Sequence, residues 1–483
     1  MSVITRPDAP EEVEEPEGAG RRGPLRFWDP AFLQRHWVIA AVLVAGLVVR
    51  IVVMVAYTPF FWFTDTHGYL VAARTGVPGA ARPFAYPAFL WLFDHLGFGL
   101  RAIVALQHLL VLVVAALLYA FLVHRGVTRW MAALAVAPLA LSPLLVNIEH
   151  HLLSDPLFIA LYTGAALVLA WWDRVPPLWA CGLAGLLTAA ATLTRQVGVV
   201  MITVMLGYML LRRFGWRRLA VFMASFAVPM LMYLFWMHQT YGVYAVSTWR
   251  GKHLYARVAP IAQCEKLGQL TAQERQLCDD RPLDQRPGPE GYLWVGGEAP
   301  ARTLPDRVDL AFARKVIIHQ PVDYLGMVAS DISHVFYLGQ RQRPDEPCVA
   351  YWSFPGTRPG GCRTDAVGTT IWRDHPFRVN EPLARGLRQY ARIDYLVGPF
   401  FLACILLVAV TALWRPRRGD WKLRLEAVFL CLLGLGVTLG AIATANFSYR
   451  YTVALYCTLA PAAALALTYL LDERRRAGVR EAA

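Results

Sequence analysis

Asp65 lies in the segment Phe63-Thr-Asp-Thr-His-Gly-Tyr69, a few residues past an apolar run, Trp37 to Tyr57, that is long enough to cross a bilayer. An ionisable side chain so near the lipid boundary is costly and marks a candidate site. Comparable polar groups stand at the ends of later apolar runs. They are Glu149, His150, His151 and Asp155; then Arg195 in Thr194-Arg-Gln196; then Arg450 in Asn446-Phe-Ser-Tyr-Arg-Tyr451. Arginine holds phosphate through paired hydrogen bonds and stabilises developing negative charge, and a carboxylate can take a hydroxyl proton. Such a set suits glycosyl transfer from a lipid-linked sugar phosphate. The phosphate is already a good leaving group, so the site must supply charge stabilisation and a base. Asp65 is the expected base, and Arg195 and Arg450 the expected phosphate ligands.

The elements that must position these residues are membrane spans. The chain has 483 residues, of which 57% are hydrophobic and only 17% charged, against roughly a quarter charged in soluble proteins. Apolar windows predict about ten spans, near 37–57, 102–123, 131–148, 156–172, 178–194, 197–211, 219–238, 393–413, 425–445 and 452–471. The stretch 178–211 is expected to hold kinked or broken helices. The fold class is therefore an all-α polytopic membrane protein with a mixed extracytoplasmic loop domain.

Charge sets the orientation. Arg125, Arg129, Arg174, Arg212, Arg213, Arg217, Arg218, Arg415, Arg417, Arg418, Lys422, Arg424 and Arg474 to Arg476 all fall on one side if both termini are cytoplasmic. The net charge of +13 is carried almost wholly by arginine. Its basic residues alternate with apolar spans, a pattern that suits lipid head groups and not nucleic acid. Residues 1–36 read as a disordered cytoplasmic tail and 472–483 as a cytoplasmic tail. Residues 37–238 read as an N-terminal membrane module with its first outer loop at 58–101. Residues 239–392 form the extracytoplasmic loop domain and 393–471 a C-terminal membrane module.

Cys264, Cys278, Cys348 and Cys362 fall in the long outer loop, where an even count reads as disulfides. Cys264–Cys278 and Cys348–Cys362 are the expected pairs, with the cross-pairings left open. Cys181, Cys404, Cys431 and Cys457 lie in spans and read as packing residues.

The order of these motifs resembles the GT-C superfamily of integral-membrane glycosyltransferases. It is most similar to the branch with protein O-mannosyltransferases, the lipid A aminoarabinose transferase and actinobacterial arabinofuranosyl- and mannosyltransferases. The matching pieces are Thr64-Asp-Thr-His-Gly-Tyr69, Arg82-Pro-Phe-Ala-Tyr-Pro87, Glu149 to Asp155, Leu193-Thr-Arg195, Phe312 to Leu325 and Tyr449-Arg-Tyr451. The resemblance implies a GT-C-like helix bundle acting from the extracytoplasmic side of the plasma membrane. It implies a polyprenyl-phosphate sugar as donor, a hexose or a pentose, and a glycan, lipid or protein as acceptor. It makes Asp65 the base and turns Arg195 and Arg450 to the donor phosphate. Glu149 or Asp155 would orient substrate or a metal, so no cofactor is required but a divalent metal stays open. His67, Tyr69, Arg82, Tyr86, Tyr449 and Tyr451 join as substrate-binding candidates. The chain departs from the branch at Thr66, where a second acidic residue is frequent.

Each residue also has a plainer role. Asp65 is a good helix cap, and Arg450 could snorkel to lipid phosphate. A transporter or flippase of a lipid-linked or anionic substrate is the alternative function. Such carriers usually show internal repeats, and none is visible in the sequence.

Overall fold

The computed structural model describes residues 34–293, 304–340, 352–355, 377–413 and 421–481. The N-terminal tail through residue 33, Cys348 and Cys362 lie outside the described residues.

Ten stretches of helix cover the ten apolar windows. They begin with α1 (Trp37–Ala56), after which come two short helices, α2 (Thr64–Thr75) and α3 (Ala85–His95). Next come α4 (Leu100–His124) and the pair α5 (Arg129–Leu141) and α6 (Pro143–His150), bent by 45°. They continue with α7 (Asp155–Ala170), α8 (Leu178–Thr194), α9 (Val200–Leu211) and α10 (Trp216–Tyr241). Among the described residues six helices are long and apolar enough to cross a membrane, and the bent pair makes a seventh; α7, α8 and α9 are shorter. The chain is an all-α polytopic membrane protein; among the described residues the strands are limited to a two-stranded antiparallel ladder, Tyr57–Thr58 against Arg378–Val379.

Between α10 and the return to the bundle the chain carries α11 (Arg250–Val258), α12 (Ala272–Arg275), α13 (Pro289–Leu293), α14 (Asp306–His319) and α15 (Pro321–His334). It returns through α16 (Glu381–Tyr390) to α17 (Val397–Leu413), α18 (Trp421–Thr444) and α19 (Val453–Glu481). Its own apolar cluster centres on Tyr255, Phe312 and Val316, apart from the core of the bundle. Cys264 and Cys278 are bonded, as expected. Closing a loop of that length stabilises a fold by about 3 kcal/mol, so Cys264→Ser should speed proteolysis of the segment around α11 to α14 while leaving the bundle intact. Limited digestion of the purified chain checks this; identical digestion rates would refute it.

Local sequence explains the two bends that matter. Pro143 lacks the N–H that would continue α5, and Ser142 caps the new start by accepting from Leu145 N. Asp394, in the turn before α17, accepts from Ser142 Oγ at 3.0 Å and Leu144 N at 2.8 Å. At the other bend α8 stops at Arg195, whose backbone is extended, and a 3₁₀ turn over Gln196–Val199 leads into α9. A side chain on Gly198 would come within 2.8 Å of the Thr192 backbone, so that turn needs glycine.

Arg50 lies on the buried face of α1 with Gly46 and Val53, while Leu47, Val48 and Ile51 face outward. It grips Glu149 with two bonds, Nε at 2.8 Å and Nη2 at 2.7 Å, and Nη1 donates to the carbonyls of Gly46 and Ala140. His108 Nδ1 lies 2.8 Å from the same carboxylate. At the end of the bundle opposite to Asp65, Arg125 and Arg212 reach Glu426, and Arg125 and Lys422 reach Asp173. Cys181, Cys404, Cys431 and Cys457 are buried free thiols among the packed helices.

Candidate active site

Asp65 sits in the first turn of α2, two residues past the cap position at Phe63. Thr66, not Asp65, fixes that turn: its Oγ1 accepts from Phe63 N at 3.1 Å and donates to Leu152 O at 3.1 Å. The Asp65 carboxylate is left for arginines. Oδ1 accepts from Arg82 Nε at 3.2 Å and Nη2 at 3.0 Å, and Oδ2 accepts from Arg450 Nη1 at 2.8 Å.

Arg450 continues the chain of charge. Its Nε and Nη2 lie 2.8 and 2.7 Å from Asp155 Oδ2, and Asp155 Oδ1 contacts Arg195 Nη1. The result is an alternating ladder, Arg82–Asp65–Arg450–Asp155–Arg195. Three cations against two anions leave one positive charge. Arg450 is buried and turned inward, over the Phe63 ring at 5.3 Å, so its guanidinium does not reach toward lipid head groups. Burial alone would raise the Asp65 carboxyl, but Arg82 and then Arg450 outweigh it and hold it well below the usual carboxylate range.

Arg82 is held by a pinned loop. Thr248 N and Ser247 Oγ donate to Ala80 O at 2.9 and 3.1 Å, and Tyr241 Oη donates to Pro78 O at 2.6 Å. His253 Nε2 lies 3.3 Å from Arg82 Nη1. Burial, with the Arg82 charge beside it, pushes His253 down to about 3, so it is neutral at ordinary pH.

The ladder forms one end of a cavity of about 500 Å³. Tyr69, Ser154, Gln196 and Tyr451 share the polar end, with Tyr69 Oη 3.0 Å from Ser154 Oγ and Arg195 5.5 Å above the Tyr451 ring. Val197, Val199, Val200, Met230, Leu254, Leu310 and Ala441 give the cavity an apolar stretch of wall, beside further polar lining from Thr192, Thr194, Ser247, Arg250, His253 and Thr444. An amphipathic cavity of this kind can seat a charged head group at one end and a hydrocarbon chain at the other.

Of the residues singled out in the sequence, Asp65, Tyr69, Arg82, Asp155, Arg195, Arg450 and Tyr451 are brought together. The others are not. Glu149 belongs to the Arg50 cluster, Tyr86 is buried with its hydroxyl on Gln107 at 2.5 Å, and Tyr449 packs edge-on against Phe447. His67 is exposed on the far side of α2. Among the described residues no group of three or more His, Cys, Asp and Glu side chains is placed to hold a metal ion. Arg250 and His253, both in the cavity wall, were missed. Their signal was the basic run Arg250-Gly-Lys-His253, some way beyond the apolar span that ends at 238.

Glu149→Leu separates the two clusters. It would strand Arg50 without its carboxylate, and breaking such a buried pair costs about 3–5 kcal/mol. The thermal midpoint and yield should fall. Affinity for a ligand of the cavity should not change in the fraction that folds, because Glu149 does not line it. A selective loss of that affinity with normal stability would return Glu149 to the site.

No family model and no curated protein matches the chain. A solved structure, ArnT from Cupriavidus metallidurans bound to undecaprenyl phosphate, aligns with 89% of this chain and 77% of its own at 15% identity. The TM-score is 0.36, and a likeness at that level carries no argument for function.

Proposed function

We propose that this chain is a GT-C-like membrane glycosyltransferase. It moves a hexosyl or pentosyl group from a polyprenyl-phosphate donor to an acceptor hydroxyl on the extracytoplasmic face of the plasma membrane. The observation that carries the reading is the ladder with its surplus positive charge at the polar end of an amphipathic cavity. The polyprenyl chain would follow the apolar wall, and the phosphate would meet Arg195 and Arg450.

In the transfer the acceptor oxygen attacks the anomeric carbon as the bond from that carbon to the phosphate oxygen breaks. The electron pair leaves with the phosphate, so its charge grows beside the arginines, where fixed donors stabilise it most. The hydroxyl proton goes to Asp65, and attack from the face opposite the phosphate inverts the anomeric centre. In the free state Asp65 is a poor base, because two guanidiniums share its oxygens. A bound phosphate competes for Arg450, and each bond it draws away raises the basicity of Asp65. Donor binding thus prepares the base.

The direct test is to incubate the purified chain with synthetic polyprenyl-phosphate sugars and measure which one loses its sugar. One donor among arabinofuranosyl and mannosyl phosphates should be consumed, with polyprenyl phosphate released in equal amount. Tight binding of polyprenyl phosphate without turnover of any sugar, coupled to its movement across vesicles, would favour the flippase instead.

A further inference from the structure

Across the Asn446–Tyr451 segment from the ladder lies a second cavity, of about 440 Å³, between the extramembrane chain and the end of the bundle. Its size falls within the range of small-molecule sites. Arg257, on α11, lines it and is fully buried. Arg257 Nη1 is paired with Asp331, but Nε and Nη2 have no hydrogen-bond partner. Unmet donors on a buried cation are costly, and a carboxylate or phosphate is the group whose paired oxygens match them. Glu290 and Asn446 add groups that can bond hydroxyls, while Pro289, Met327 and Phe447 offer apolar surface to the flat C–H face of a sugar ring.

We propose that this cavity binds an anionic saccharide group, a sugar bearing a carboxylate or a phosphate, with its anion toward Arg257 and its hydroxyls toward Glu290 and Asn446. Asn446 connects the site to the ladder. Its Nδ2 donates to Glu290 Oε1 at 3.4 Å, and its Oδ1 accepts from Tyr451 Oη at 3.3 Å. The Tyr451 ring in turn lies under Arg195. A group held here stands one side chain away from the charged end of the first cavity, the place from which an acceptor would be presented. Calling it the acceptor side rests on the transferase reading; the binding itself does not.

The test uses the full chain in detergent, with D-glucuronic acid, glucose 6-phosphate and glucose as probes and titration calorimetry as the readout. At least one anionic sugar should bind, about tenfold or more tighter than glucose, and which of the two binds identifies carboxylate or phosphate as the anion. The paired change Arg257→Met with Asp331→Leu removes both charges together, so no buried ion is stranded. It should erase the preference for the anion. Met327→Trp fills the cavity, leaves the Arg257 pair intact and should weaken all three sugars. Both variants should bind undecaprenyl phosphate like the parent. Lack of binding by both anionic sugars, or binding unchanged in both variants, would overturn the site. Undecaprenyl phosphate failing to bind while an anionic sugar binds would instead count against the transferase reading alone.

Discussion

Asp65→Asn should fold and bind polyprenyl phosphate at least as well as the parent, yet transfer sugar about 10²–10⁴-fold more slowly. The amide keeps the size and one acceptor oxygen but cannot take a proton. It also removes a negative charge from the ladder, leaving Arg450 to Asp155 and to the donor phosphate. Affinity and rate therefore move in different directions. If Asp65 only held the arginines in place, both would fall together, because Arg82 and Arg450 would lose their common anchor. Single-turnover rates beside equilibrium binding of undecaprenyl phosphate separate the cases. Transfer within a few-fold of the parent would dismiss the base and move the search to Asp155.

Arg450→Lys should be nearly as damaging, by another route. The guanidinium of Arg450 bonds two carboxylates at once, through Nη1 to Asp65 and through Nε and Nη2 to Asp155. A lysine ammonium keeps the charge but not the fork that spans both. Charge-assisted bonds contribute about 1.5–3 kcal/mol each, so donor affinity should drop roughly tenfold or more, with a further loss in rate. Arg195→Lys, which gives up one carboxylate contact instead of two beside its ring contacts and its phosphate role, should be milder. Unchanged binding and turnover in Arg450→Lys would remove the phosphate role.

Much of this arrangement is legible in the sequence because the membrane leaves few options. Apolar length locates the helices, and a charge beside an apolar run has little reason to be there unless it is paired or used. Asp65, Asp155, Arg195 and Arg450 are found that way, while Arg82 enters only through the resemblance of Arg82-Pro-Phe-Ala-Tyr-Pro87. Their pairing is not, since nothing local joins Asp65 to Arg450. Glu149 is misplaced for a specific reason. Read as one span, 131–148 delivers it to the outer edge, whereas the bend at Pro143 leaves it packed against α1. Arg50 is equally visible, a lone cation between Val49 and Ile51 in the first apolar run, and a cation there implies a buried acid as its partner. The role of Tyr86 could not be read, because a tyrosine that bonds a buried glutamine looks in sequence like one that bonds a sugar.

The ladder also constrains how the protein can be made. Asp65 and Arg450 are 385 residues apart, and Asp155 and Arg450 are 295 apart. During synthesis the two acids are therefore in place long before their shared cation emerges. Until the last helix is inserted, Asp155 has only Arg195 and Asp65 only Arg82. A chain interrupted before Arg450 would carry every apolar span but the last and still lack the central member of the ladder. Such a fragment leaves Asp65 and Asp155 without the guanidinium that joins them. The guanidinium that joins the two acids is thus supplied late in synthesis, long after both have been inserted.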